Sequence, residues 1–154
     1  MMTREQILAM EFESLKMDLI TVYDQKGMRA SGKFAESLEV KIAKNVGTLI
    51  GAKYSQQLET GRRAGGFPPI KAIEQWIYDK GLSSRIDDSI NVSSLAFLIA
   101  RKIAREGWNR GGDLELISTV VTEERIAEII KKVGDHAVID FTTDVISFLE
   151  TLQN

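Results

Sequence analysis

The stretch LETGRRAGGFPPIKAIEQW, residues 58 to 76, holds both prolines of the chain, three of its twelve glycines and a pair of adjacent arginines. Proline lacks a backbone N–H and has a fixed φ, so Pro68-Pro69 must end whatever element precedes it. Pro69 suits the first turn of a helix, where its missing donor would be unpaired anyway. The glycines Gly61, Gly65 and Gly66 leave the chain before it free to turn. The stretch therefore joins what reads as a strand to what reads as a helix, and it invites three readings: a phosphate loop, a docking loop or a plain turn.

The rest of the chain reads around this joint. Leu8, Phe12, Leu15, Leu19 and Val22 are spaced 4, 3, 4, 3, the stripe of an amphipathic helix. Thr3 is its expected N-cap, with Gln6 completing a capping box, and it should fray near Gly27. Residues 27–35 read as a connection. In 38–44, Leu38, Val40 and Ile42 alternate with Glu39, Lys41 and Ala43, a strand with one wet face. Asn45, Val46 and Gly47 are expected to turn the chain into a second strand over 48–59, with Ile50, Ala52, Tyr54 and Leu58 on one face and a bend at Gly51.

Beyond the prolines, Ile70, Ile73, Trp76 and Ile77 make the apolar face of a short helix closed by Gly81. Residues 82–92 are polar and read as a mobile loop. Residues 93–108 are the clearest helix, capped by Ser93 or Ser94 and ended by Gly107. Arg101, Lys102 and Arg105 lie toward its C-terminal half, where the helix dipole favours cations. Residues 109–113 read as a joint. Thr122 caps a helix with Glu123 and Glu124 in its first turn and Gly134 past its end. Val138, Phe141, Val145, Phe148 and Leu152 keep helical spacing; a helix is expected over 143–152, while 136–142 stays open between helix and strand. The expected fold is α+β, a small antiparallel sheet built on a β-hairpin with several helices packed on it. Trp76, Ile73, Leu95, Ile99 and Ile103 are expected to pack on the hairpin face that carries Ile50, Ala52 and Tyr54.

Composition narrows the function. The 154 residues make most simply one domain, and 44% apolar with 27% charged residues is ordinary for a globular chain. The net charge of -2 gives no global pull toward nucleic acid or anionic lipid. There is no cysteine and one histidine, His136. That excludes disulfides and a cysteine nucleophile, and leaves one chain without the ligands of an ordinary zinc site. The start MMTREQILAMEFE lacks a secretory pattern, and no apolar run reaches a membrane span. The expectation is a soluble protein made in a reducing cytoplasm.

The search for chemistry finds no active site. A P-loop needs backbone donors and Lys-Ser/Thr at the helix start, where this chain has Pro-Pro. Asp87 and Asp88 in a polar loop point to solvation, and Glu123 and Glu124 already serve a helix start. Arg62, Arg63, Arg101, Lys102, Arg105 and Arg110 would form a basic surface if loop and helix converge, but no aromatic residues are interleaved with them as single-strand binding would need. The helices starting near 70 and 93 are joined too loosely for a helix-turn-helix. No enzyme, cofactor or metal is expected.

The string YSQQLETGRRAGGFPPIKAIEQWIYDKGL, followed by LAFLIARKIAREGW, resembles the tail-completion and neck (head–tail joining, minor tail) proteins of tailed bacteriophages. The matching elements are Tyr54, Glu59, Gly61 and Arg63 at a turn, then Phe67-Pro68-Pro69 and a helix with a central Trp76 that ends at Gly81. Ala96, Ile99, Ala100, Arg101, Ile103 and Gly107 of the next helix complete them. The resemblance covers 48–108 well and the first helix loosely. The family-like core would be 1–108, with a helical extension over 113–154. Where the family often has a proline- and aromatic-rich element, Gly111, Gly112, Asp113 and Leu114 stand here.

The resemblance implies a structural virion protein without catalytic role, assembled in the bacterial cytoplasm. Several copies would form a ring joining the portal or its adaptor to the tail or neighbouring neck proteins. It would have no membrane contact and at most indirect contact with packaged DNA. Arg62, Arg63, Gly65, Gly66, Phe67, Arg101 and Arg105 are then the expected subunit-interface residues, with 60–68 a projecting loop whose arginines pair with carboxylates of a neighbour. The competing reading is a cytoplasmic DNA-binding regulator that uses the basic helix face.

Overall fold

A computed structural model describes residues 1–109 and 114–152. Among them it has seven α-helices and one two-stranded antiparallel sheet, a small α+β fold. Helix α1 (Arg4–Gln25) opens with the expected capping box: the Gln6 N–H donates to Thr3 Oγ1 at 3.2 Å, and the Thr3 N–H donates to Gln6 Oε1 at 2.8 Å. It closes at Gly27, whose φ of 64° lies in the left-handed region that favours glycine. The Gly27 and Met28 N–H groups return to the carbonyls of Asp24 and Tyr23, which satisfies the last turn. Gly81 closes a later helix in the same way.

A short α2 (Lys33–Ser37) occupies part of the expected connection. It brings the buried Phe34 ring to 4.7 Å from that of Tyr23. Strands β1 (Glu39–Ala43) and β2 (Val46–Ile50) pair with Glu39 opposite Ile50 and Ala43 opposite Val46. The turn is two residues long, Lys44 and Asn45, both with positive φ. It falls one residue earlier than the expected Asn45-Val46-Gly47, because a two-residue turn of this hand matches strand twist. Val46 and Gly47 belong to the strand. Gly47 lies where a Cβ would collide with the Phe12 ring of α1, so the hairpin sits close against that helix.

The expected strand over 48–59 is wrong past Ile50. After Gly51 and Ala52 the chain forms α3 (Ser55–Thr60). The β-formers end at Ile50, and SQQLET consists mainly of residues that lose little freedom in a helix. Helix α4 (Ile70–Asp79) follows the prolines, with Pro69 at its N-cap. Next come a single 3-10 turn over Ser83–Arg85 and α5 (Val92–Glu106). Its cap is Asn91, whose side chain accepts from the Ser94 N–H at 2.7 Å, and not Ser93 or Ser94. Asn91 wins because a cap must precede the first helical residue with extended φ/ψ, and Val92 is already helical.

A five-residue α6 (Leu116–Val120) leads into α7 (Glu123–Thr151), capped by Thr122 as expected. Gly134 does not end α7. A helical glycine costs about 1 kcal/mol; Ile129 and Val133 pack on the core in the turn before it, and Asp140 beyond it pairs with Arg4 of α1. The open segment 136–142 is helical too. Residues 110–113, including Arg110 and most of the expected joint, lie outside the described residues.

The apolar residues form two clusters, not one. The larger joins α1, α2, α6 and α7, with Leu15, Leu19, Phe34, Leu38 and Leu116 buried and the hairpin's Ile42 and Leu49 packed beside them. The smaller is the α4–α5 pair, built on Ile73, Ile77, Ala96 and Ala100 with Ile99 and Ile103 alongside. The expected packing of α4 and α5 on the hairpin is therefore corrected. The wet–dry alternation of the hairpin is satisfied by α1, which takes its inner face, and Ile50, Tyr54 and Trp76 are all more than a third exposed.

Burial pushes the Tyr23 phenol above its ordinary 10.0. The folded state then favours the protonated phenol, so this stabilisation is intact below the unfolded pKa and lost as pH rises through the raised one. The melting temperature is expected to fall as pH rises above about 10, and to fall less in Tyr23→Phe. Equal alkaline slopes for the two proteins would contradict that. Among the described residues no helix is long and apolar enough to cross a membrane.

Candidate docking surface

Helices α3 and α5 end alike. Gly61 has φ 76° and ψ -165°, and Gly107 has φ 75° and ψ -165°. Each releases its chain sideways into the other. The Arg62 N–H donates to the Trp108 carbonyl and the Trp108 N–H donates to the Arg62 carbonyl, both at 2.7 Å. This is one closed antiparallel bridge. A Cβ on Gly61 would strike the Trp108 carbonyl, and a Cβ on Gly107 would strike the Arg62 carbonyl. Both glycines are thus required twice, for conformation and for room.

The loop then runs along α5. The Gly65 N–H donates to the Ala104 carbonyl at 2.9 Å, which occupies one of the acceptors a helix end leaves open. The Arg62 guanidinium donates to the Gly66 carbonyl at 2.9 Å and closes the loop on itself. The Phe67 ring stands 5.8 Å from that of Phe97 on α5. Pro68 is buried and Pro69 opens α4.

Glu59, just before the bridge, holds the next element. Its carboxylate accepts from the N–H of Ile117 at 2.7 Å and from that of Ser118, and so caps α6 in place of a local side chain. The tie runs across 58 residues of sequence, and no local pattern announces it.

The sequence-predicted residues divide accordingly. Arg63, Gly65, Gly66, Phe67, Arg101 and Arg105 are exposed on one region, because the loop and α5 do converge. Arg62 is half-buried and holds the loop in place. The loop leaves a helix and lies along α5, so it does not project from a strand as expected. Sequence reasoning missed Phe97 and Leu98, which are 45% and 41% exposed. Their signal was present: Phe97, Arg101 and Arg105 recur every four residues, about a third of a turn round from the buried Ala96 and Ala100. The aromatic partners judged missing beside the arginines are therefore supplied by Phe67 and Phe97.

Elsewhere the chemistry is sparse. His136 lies between α7 and α1 with Nδ1 3.1 Å from an Asp140 carboxylate oxygen, which also lies 3.8 Å from Arg4. Asp87 accepts from the Ser89 N–H at 2.9 Å, a turn contact that holds its carboxyl below the ordinary range. Among the described residues no three His, Cys, Asp or Glu side chains are grouped to hold a metal ion. Compared with protein-family models, curated proteins and solved structures, the chain has no significant match.

Proposed function

We propose that this protein acts by assembly, as a neck or tail-completion subunit of a tailed bacteriophage, in a ring between the head connector and the tail. The observation that carries the reading is the strapped loop. Ordering a glycine-rich loop costs backbone entropy, and here the bridge and the Gly65 bond meet that cost before any partner arrives. The loop then holds Arg63 and Phe67 beside Phe97, Arg101 and Arg105 as one pre-ordered surface. Pre-ordering an aromatic and arginine-rich surface favours protein docking.

The motif that resembles the neck family also gains a physical account. Glu59, Gly61 and Gly107 build the clasp, while Arg63, Phe67 and Arg101 are displayed by it. The test is to assemble particles with Arg63→Ala/Phe67→Ala. Heads and tails left unjoined by a folded variant are the expected result. Normal yields of joined, infectious particles would overturn the reading.

A second reading, duplex DNA binding, is favoured by the exposure of Arg101, Lys102 and Arg105 along one helix. It requires an affinity for duplex that falls steeply with salt.

A further inference from the structure

We propose that the C-terminal half of α7 is an arm that docks on the outward face of α5 in a second copy of this chain. The contact deepens the assembly reading and rests on it only for closure into a ring.

Three observations place the arm outside its own fold. Helix α7 runs antiparallel to α1, and the ion pairs give the register: Asp18 with Arg125 at 2.8 Å, Glu11 with Lys132 at 2.7 Å, Arg4 with Asp140 at 3.8 Å. Since α1 begins at Arg4, α7 overhangs it beyond Asp140 by about 17 Å. The apolar stripe also changes sides. The face of α7 turned to α1 carries Ile129, Val133 and His136, and at 100° per residue it continues through Asp140, Asp144 and Ser147. Val138, Phe141, Val145, Leu149 and Leu152 lie about half a turn away.

These five side chains are between 39% and 69% exposed. With Ile139 and Ile146 beside them they leave on the order of several hundred Å² of contiguous apolar surface, the size at which a patch marks an interaction site.

Charge selects the occupant. Between Ala137 and Leu152 the charged residues are Asp140, Asp144 and Glu150, all acidic. Asp140 is already matched by Arg4, which leaves Asp144 and Glu150, one at each border of the apolar surface once Ile139 and Ile146 are counted in it. The outward face of α5 is the complement: exposed Phe67, Phe97 and Leu98 at one end, Arg101 and Arg105 at the other. An apolar, acidic arm on an apolar, basic face buries both patches and pairs their charges. Arm and face are different surfaces, so the contact is head-to-tail, and repeated with closure it makes a ring.

The test is a charge exchange on purified protein, with light scattering as the readout. Wild-type protein is expected to self-associate. The arm variant Asp144→Arg/Glu150→Arg and the face variant Arg101→Glu/Arg105→Glu should each dissociate, with association weakened about tenfold or more. Their far-UV circular dichroism should not change, because all four positions are exposed. An equimolar mixture should associate again, since each reversed arm then meets a reversed face.

Monomeric wild-type protein at about 100 μM would overturn the proposal, as that is far above the dissociation constants of specific interfaces. So would a face variant that associates normally, which is the behaviour expected if arms pair with arms. A chain that passes the exchange but is absent from purified virions keeps the contact and loses the neck reading.

Discussion

Gly107→Ala is expected to destabilise the protein by about 3 kcal/mol or more, and Gly61→Ala by a similar amount. The first cause is conformational. A φ near +75° with ψ near -165° is territory that essentially only glycine occupies. The second is steric. The new Cβ at 107 would meet the Arg62 carbonyl and the Ala64 backbone nitrogen, and the one at 61 would meet the Trp108 carbonyl and the Leu114 side chain. Backbone on both sides leaves neither partner free to yield. The bridge between Arg62 and Trp108 must then open and strand four polar groups. Chemical denaturation measures the loss, and a change below about 1 kcal/mol, the ordinary size for a point mutation, would show that the clasp is not strained. Because the two residues share one bridge, the double variant should lose less than the sum of the single losses.

The second large effect separates two neighbours on α4. Ile77 is fully buried against α5, so Ile77→Ala should cost about 2–5 kcal/mol. Trp76, one residue earlier, is 39% exposed over a shallow depression shared with Gly27, Met28, Leu58 and Trp108. Trp76→Ala should cost well under the roughly 3–5 kcal/mol of a buried tryptophan. Equal losses at the two sites would mean that α4 is seated differently. The contrast is sharper because the sequence leads one to expect Trp76 in the core with Ile73. Trp76, Ile73 and Ile77 all lie within the stripe of one helix, and periodicity cannot tell the middle of a stripe from its edge.

Much of the fold was legible because its determinants are local. The Thr3–Gln6 capping box, the closing glycines at 27 and 81, the Thr122 cap and the hairpin each occupy a handful of consecutive residues. What was not legible depended on partners far away. The alternation in 38–50 shows that the hairpin has a dry face but not that α1, rather than α4 and α5, will cover it. SQQLET was drawn into a strand by the β-formers before it, although Gly51 marked the break. Gly134 looked like a stop, yet contacts on either side carry the helix through it.

The candidate surface divides in the same way. The family resemblance singled out Arg63, Phe67, Arg101 and Arg105, whereas Phe97 and the arm required knowing which side of each helix was already taken. The match between Gly61 and Gly107 spans 46 positions, and nothing near either glycine points to the other.

The map of contacts also sets an order of closure. Helices α4 and α5 are joined by residues 80–91 alone, so their cluster closes over a short loop. The ties of α7 to α1 close loops of 107 and 121 residues. Loop entropy grows only logarithmically, so the longer closure is dearer by about 2 kcal/mol, but it is also slower, because distant segments must find one another before any contact rewards them. Until then α1 has Leu15 and Leu19 without much of their cover. The face of α5 is thus finished early, while the arm is brought into position only when α7 has found α1. A half-folded chain can receive a neighbour before it can reach for one, and growth from such chains is held back by the pace of their own folding.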